Sequence, residues 1–175
     1  PGKALAYVIN ELDSTITTYR QDRSSGELTP LQTVPSTPPD FTGYSTGAEI
    51  WVDRAGRNVY VSNRGHDSIG VFGIDAHKGT LSARQWVPTK GGTPRFFAFD
   101  PAQRFLYVAN QGGHSIIGYR VGRGGLLMPT RLRGSPSAAA ASAGGGPRCS
   151  ASTGGVPWLA STLWALKCSS SASPP

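Results

Sequence analysis

The chain has 175 residues and a mass of 18.4 kDa, the range of a single domain. Glycine (23) and proline (14) fill 37 of those positions and hydrophobic residues only 38%, against an ordinary Gly plus Pro usage of about 12%. This excludes a helix bundle or coiled coil, and no apolar run approaches the ~20 residues that span a bilayer. The net charge is +7, from 17 Lys and Arg and 10 Asp and Glu. The bases are scattered over loops instead of forming a run, so neither nucleic acid nor membrane is expected as a partner. A modest positive field of this kind suits a small anionic ligand.

Taken in chain order, the first 133 residues repeat. Tyr7-Val8-Ile9-Asn10, Tyr60-Val61-Ser62-Asn63 and Tyr107-Val108-Ala109-Asn110 share a Tyr-Val-x-Asn core. An Ile follows six residues after each Asn (Ile16, Ile69, Ile116). A glycine turn then precedes a leucine in Gly26-Glu27-Leu28, Gly79-Thr80-Leu81 and Gly125-Leu126-Leu127. Two further segments ending in aspartate, Glu49-Ile50-Trp51-Val52-Asp53 and Phe96-Phe97-Ala98-Phe99-Asp100, precede the second and third cores. Short strands of period two, joined by Gly, Asp and Asn turns, recur about every 50 residues, which is the signature of β-propeller blades. The expected fold is therefore all-β. It is a partial propeller of about three four-stranded blades over residues 1–31, 45–85 and 92–132. Closed propellers have about 4–8 blades, so the two end blades expose apolar faces, and self-association through them is expected.

Composition changes at Gly134. Residues 134–175 hold 10 Ser, 9 Ala, 6 Gly and 5 Pro, no acidic residue, and only Arg148 and Lys167 as bases. Such a tract cannot bury enough apolar surface to offset its ordering entropy and is expected to be disordered. Its composition is also what GC-rich DNA read in another frame would encode. One apolar island, Val156 to Leu166, is long enough for a short amphipathic helix. Cys149 and Cys168 lie in this tract without CxxC or His/Cys spacing, so they read as unpaired thiols and no structural zinc is expected. The chain opens at Pro1 with no charged-then-apolar leader.

The first 132 residues resemble the seven-bladed propeller lactonases, meaning the bacterial-type 6-phosphogluconolactonases and their carboxymuconate cyclase relatives. The resemblance is carried by Tyr7-Val8-Ile9-Asn10-Glu11-Leu12-Asp13-Ser14, by Gly47-Ala48-Glu49-Ile50-Trp51-Val52, and by Gly56 through Ile69. It continues through Thr93-Pro94-Arg95-Phe96-Phe97, Asp100-Pro101 and Val108-Ala109-Asn110-Gln111. It implies the C-terminal part of such a propeller. The family's Gly-Pro-Arg-His-like segment would fall before Pro1, and the strands that close the ring give way to the Ser/Ala-rich tract. The implied reaction is hydrolysis of 6-phospho-D-glucono-1,5-lactone to 6-phosphogluconate, in the cytoplasm and the pentose phosphate route, with no cofactor. The implied partner is a small phosphorylated sugar lactone. Lactonisation of a carboxymuconate, and a non-catalytic fragment that binds protein or itself, are the alternatives.

Lactone hydrolysis needs a base for water, a cation for the developing oxyanion and an anchor for the phosphate. Glu11, Arg64 and Gln111 each follow the repeated Asn, so they occupy equivalent points on successive blades around one channel mouth. The resemblance implies Glu11 as acid or base and Arg64 as a carbonyl or phosphate anchor. Arg95, aligned with Ala48 one blade earlier, is expected to point into the same space. Gln111 and His66 complete the substrate-binding set, with a turn histidine bonded to Asp67 as the other reading of His66. No residue spacing indicates a metal site.

Overall fold

The computed structural model describes residues 4–134 and the backbone of residues 163–168. Twelve strands run in chain order: β1 (Leu5–Asn10), β2 (Thr15–Gln21), β3 (Leu28–Pro35), β4 (Thr46–Val52), β5 (Asn58–Arg64), β6 (Ser68–Ile74), β7 (Leu81–Pro88), β8 (Pro94–Phe99), β9 (Phe105–Asn110), β10 (Ser115–Val121), β11 (Leu127–Gly134) and β12 (Leu163–Cys168). Their hairpin turns are built by short polar side chains. Asp22 Oδ1 accepts the Ser24 and Ser25 amides at 2.8 and 2.9 Å, and Asp75 Oδ1 accepts those of His77 and Lys78 at 2.8 and 2.7 Å. The Ser24 hydroxyl and these amides favour the charged form and hold the Asp22 carboxyl down at about 2. The glycines of the repeated Gly-x-Leu turns, Gly26, Gly79 and Gly125, all have positive φ (77°, 79° and 86°), a conformation that other residues adopt at a steric cost.

The strands form three four-stranded sheets, ordered β12-β1-β2-β3, β4-β5-β6-β7 and β8-β9-β10-β11. The all-β partial propeller is what the chain builds. Within the last two, every pairing is antiparallel. The first sheet differs. Its position beside β1 is filled by β12, which runs parallel to β1 from Leu5↔Leu163 to Asn10↔Cys168. The apolar island read as a short helix thus ends in a strand. The open edge of β1 offers unpaired N–H and C=O groups, and a strand arriving from far along the chain is free of the hairpin geometry that forces antiparallel pairing. The other residues of 135–175 lie outside the described residues.

Each sheet has two apolar faces, and the core lies between sheets. One cluster joins Tyr7, Ile9 and Ile16 of the first blade to Ile50, Val59, Val61, Phe72 and Leu81 of the second. The other joins Tyr60, Ile69, Val71 and Val87 of the second blade to Phe97, Leu106, Val108, Ile117, Tyr119 and Leu127 of the third. Period two explains the partition. In β5, Val59 and Val61 face backward while Tyr60 faces forward. Leu81 and Val87 share parity along β7, yet they serve opposite faces. A bulge opposite Val71/Phe72 inserts Arg84 between the paired residues Ala83 and Gln85 and reverses the alternation.

The same hydrogen bonds recur at both blade interfaces. Tyr7 donates its hydroxyl to the Gly79 carbonyl one blade on (2.9 Å), and Tyr60 donates to that of Gly125 (2.7 Å). Gln32 grips the backbone of Leu81 with both ends of its amide (3.2 and 2.7 Å), and Gln85 grips Leu127 in the same way (3.0 and 2.8 Å). In the opposite direction, Asn63 donates to the Ser36 carbonyl and Asn110 to that of Thr89, at 2.9 and 3.1 Å.

Two predictions follow from these interfaces. Tyr7→Phe and Tyr60→Phe each strand a carbonyl and should lower stability by about 1 kcal/mol. Tyr107→Phe, at the equivalent but 38% exposed position, should leave it nearly unchanged; urea unfolding of the three variants reads the difference. Burial also raises the hydroxyls of Tyr7 and Tyr119 from 10.0 to about 12 and that of Tyr60 further. A group whose folded value is raised gives stability that is complete below its unfolded value and lost as pH climbs through the folded one. Unfolding should therefore set in between about pH 10 and 12, together with late tyrosinate absorbance; normal ionisation of all tyrosines without loss of fold would contradict it.

Candidate active site

Asn10 and Asn110 end β1 and β9, Asn63 stands one residue before the end of β5, and Glu11, Arg64 and Gln111 follow them. Asn63 is fully buried and is pinned on three sides. It donates to the Ser36 carbonyl and to Ser68 Oγ (3.3 Å), and its Oδ1 accepts the Ser36 hydroxyl at 2.7 Å. Asn10 is held within its own hairpin by the hydroxyls of Thr15 and Thr17, both at 2.9 Å. These anchors fix where Arg64 and Glu11 leave the sheet.

Arg64 and Glu11 meet across the blade interface. Arg64 donates Nη2 to Glu11 Oε1 at 2.5 Å and to the Gly47 carbonyl at 3.0 Å. The pair is partly sheltered, with side-chain exposures of 16% and 26%, so its attraction is less screened than that of a surface ion pair. The backbone supports it: the Gly47 amide donates to the Glu11 carbonyl at 2.9 Å. A Cβ at position 47 would sit 2.4 Å from Ile9 Cγ1, so a larger residue there would push that core side chain aside. Arg64 Nε–H is buried and has no acceptor among the described residues. A guanidinium with Nη2 on a carboxylate and its Nη1 donors unspent can receive a carbonyl oxygen or an oxyanion.

His66 lies two residues beyond Arg64 and is half-buried. Its Nδ1 is 2.7 Å from Ser68 Oγ, and its ring stands edge-on to Phe41 with centroids 4.7 Å apart. It does not bond to Asp67 as the turn reading had it. Asp67 is used elsewhere: Oδ1 accepts the Gly65 and Thr93 amides at 3.2 and 2.8 Å, tying the turn to the next blade. Arg95 and Gln111 are both exposed. They line an open depression of about 600 Å³ with Glu49, Phe96 and His114, one blade beyond the Glu11–Arg64 pair. Arg95 is the residue inserted by the bulge between the pairs Pro94↔Asn110 and Phe96↔Ala109. Thus Glu11 and Arg64 are in direct contact, His66 shares the turn that follows Arg64, and Arg95 with Gln111 form a separate group.

The residues not singled out from the sequence belong to the β3–β4 connection. It runs over 36–45, whereas the equivalent β7–β8 connection takes only 89–93. Ser36 supplies the hub for Asn63 and also accepts Trp86 Nε1–H at 2.8 Å, Phe41 covers His66, and Ser45 donates to the Arg64 carbonyl at 3.0 Å. The added length was the available signal. Gly65 makes room for this segment. It has φ +92°, and a Cβ would fall 2.3 Å from the Tyr44 carbonyl oxygen. Gly65→Ala should cost on the order of 2 kcal/mol and displace the turn bearing Arg64 and His66; thermal unfolding with an unchanged midpoint would show that the turn tolerates a side chain.

The family model "Lactonase, 7-bladed beta-propeller" matches residues 1–139. The 6-phosphogluconolactonase of Bacillus subtilis is 41% identical over 111 residues, which are 63% of this chain and 32% of that protein. An uncharacterized protein of Lactococcus lactis is 33% identical over the same length. The chain therefore spans about one third of the length of these relatives. Among solved structures, a Lactobacillus plantarum protein superposes with a TM-score of 0.70 at 31% identity, over 73% of this chain and 37% of that one. The periplasmic gluconolactonase of Pseudomonas aeruginosa gives 0.67 at 28% identity, over 71% and 35%.

Proposed function

We propose that this chain, which belongs to the seven-bladed β-propeller lactonase family, carries the water-activating part of a lactone hydrolase site. The observation behind the proposal is the contact between Glu11 and Arg64 from adjacent blades, made through Nη2 alone so that the Nη1 donors of Arg64 are unspent among the described residues. The lactone carbonyl oxygen takes an Nη1–H of Arg64, which makes no hydrogen bond among the described residues, and this stabilises the oxyanion formed on attack. A water adds to the carbonyl carbon as its proton passes to Glu11. Collapse of the tetrahedral intermediate breaks the ring C–O bond, and the departing alkoxide takes that proton from Glu11. The product is the open hydroxy acid, and the enzyme is returned unchanged.

The substrate proposed is 6-phospho-D-glucono-1,5-lactone, giving 6-phosphogluconate for the pentose phosphate route. The name of the Bacillus subtilis relative, the positive net charge and the exposed Arg95 one blade from the pair support a phosphorylated substrate. Arg95 would pair with the phosphate, and Gln111 and His66 would donate to sugar hydroxyls. The test is hydrolysis of the phosphorylated and the plain gluconolactone above the spontaneous rates. Glu11→Gln keeps a hydrogen-bond acceptor for Arg64, so it should fold normally and lose at least ~100-fold in kcat. Arg95→Ala should raise KM for the phosphorylated lactone alone. Equal turnover by Glu11→Gln would remove Glu11 from the chemistry, and an equal effect of Arg95→Ala on both lactones would remove the phosphate.

A further inference from the structure

Arg84, the residue inserted by the β7 bulge, lines a depression of about 480 Å³ at the edge of the second blade where β5 starts and β6 ends. Arg57, Gly73, Asp75 and Ser82 of this blade share the lining, with Gly124 of the third. Its walls come from two blades already packed on one another. The candidate active site lies at the other end of β5. Asn58 and Arg64 stand at opposite ends of that seven-residue strand, about 20 Å apart at ~3.3 Å per residue.

The Arg84 guanidinium is held in place by the protein itself. Nη1 spends both its hydrogens, donating to Asn58 Oδ1 at 2.8 Å and to the Gly124 carbonyl at 2.9 Å. Asn58 is fixed in turn by donating to Asp53 Oδ2 at 2.7 Å. The side chain lies close over Gly73, where a Cβ would come within 3.0 Å of Arg84 Cδ and Nε. Nε–H and Nη2–H make no hydrogen bond among the described residues. These donors form the side edge of the guanidinium, the fork that meets two oxygens of an oxyanion at once. Arg57 adds a second, exposed cation. Asp75, the carboxylate of this lining, has Oδ1 occupied by the amides of His77 and Lys78.

The blade fold does not demand this arrangement. Between the first and second blades the same bulge inserts Leu31, and Leu5 stands where Asn58 does; both pack into the core. At the next interface an arginine with an unspent fork replaces that apolar closure. We propose that the depression binds the phosphate group of a small phosphorylated molecule, at a site apart from Glu11 and Arg64. The Nε/Nη2 edge of Arg84 takes two phosphate oxygens, and Arg57 balances the remaining charge. Two cations match a group of about −1.5 to −2 charges better than a singly charged carboxylate. The volume exceeds that of a phosphate ion and falls within the ~300–1,000 Å³ of small-molecule sites, so the phosphate carries an organic remainder.

The experiment is a proton–nitrogen NMR titration of the 175-residue chain with ribose 5-phosphate at fixed ionic strength, with ribose and acetate as controls. Saturable shifts are expected at Arg84 Nε–H and at the Gly73 and Ser82 amides, and none with either control. Arg84→Lys keeps the charge without the fork, and Arg57→Ala removes a cation that makes no side-chain hydrogen bond among the described residues. Each should weaken binding about tenfold, the loss of one charge-assisted hydrogen bond, and the amide spectrum of each variant confirms its fold. Absence of saturation at Gly73 and Ser82 overturns the proposal, as does unchanged affinity in both variants. Shifts confined to Arg64 Nε–H would place the ligand in the candidate active site and overturn it too. An equal response to acetate would overturn the phosphate, and inorganic phosphate binding as tightly as ribose 5-phosphate would overturn the organic remainder.

Discussion

A sheet with apolar side chains on both faces has to be covered twice, and the rest of this structure follows from that constraint. The second blade meets it fully, with Val59 and Val61 under the first blade and Tyr60 and Ile69 under the third. Burying each such side chain contributes roughly 1.5–3 kcal/mol, but area alone would let the sheets slide. The polar ties set the angle between them. A tyrosine hydroxyl reaches forward to a glycine carbonyl, a glutamine amide clamps a leucine backbone, and an asparagine reaches back to the end of the preceding blade.

The candidate site is a by-product of the same ties. The asparagine that reaches backward is immediately followed by Arg64, so the hydrogen bond that registers one blade on another also aims Arg64 at its neighbour's Glu11. The residues of the candidate site on different blades are therefore held by blade packing and not by their own loops. This explains how one scaffold presents different residues (Glu, Arg, Gln) at the same place on successive blades.

Much of this was legible in the residues. The Tyr-Val-x-Asn core, the following Ile and the Gly-x-Leu turn marked the strands and the blade period. The equivalence of positions 11, 64 and 111 put Glu11 and Arg64 on adjacent blades. Three features were not legible. The bulge at Arg84 is invisible because an inserted residue leaves the composition of a strand unchanged. The role of 36–45 depends on contacts with Asn63, Arg64 and His66, far away in sequence. The pairing of β12 with β1 joins segments that share no turn and carry no common motif.

The sequence by itself determined the strand periodicity, the turn chemistry and the order of the blades, because alternation, glycine conformation and short polar side chains act within a few residues. Only the tertiary structure decided which partners these groups take. The 2.5 Å contact of Arg64 with Glu11, the use of Asp67 by the next blade and the fate of His66 depend on where one sheet lies over another. Those distances are set by the packing of whole blade faces, a property that no single segment contains.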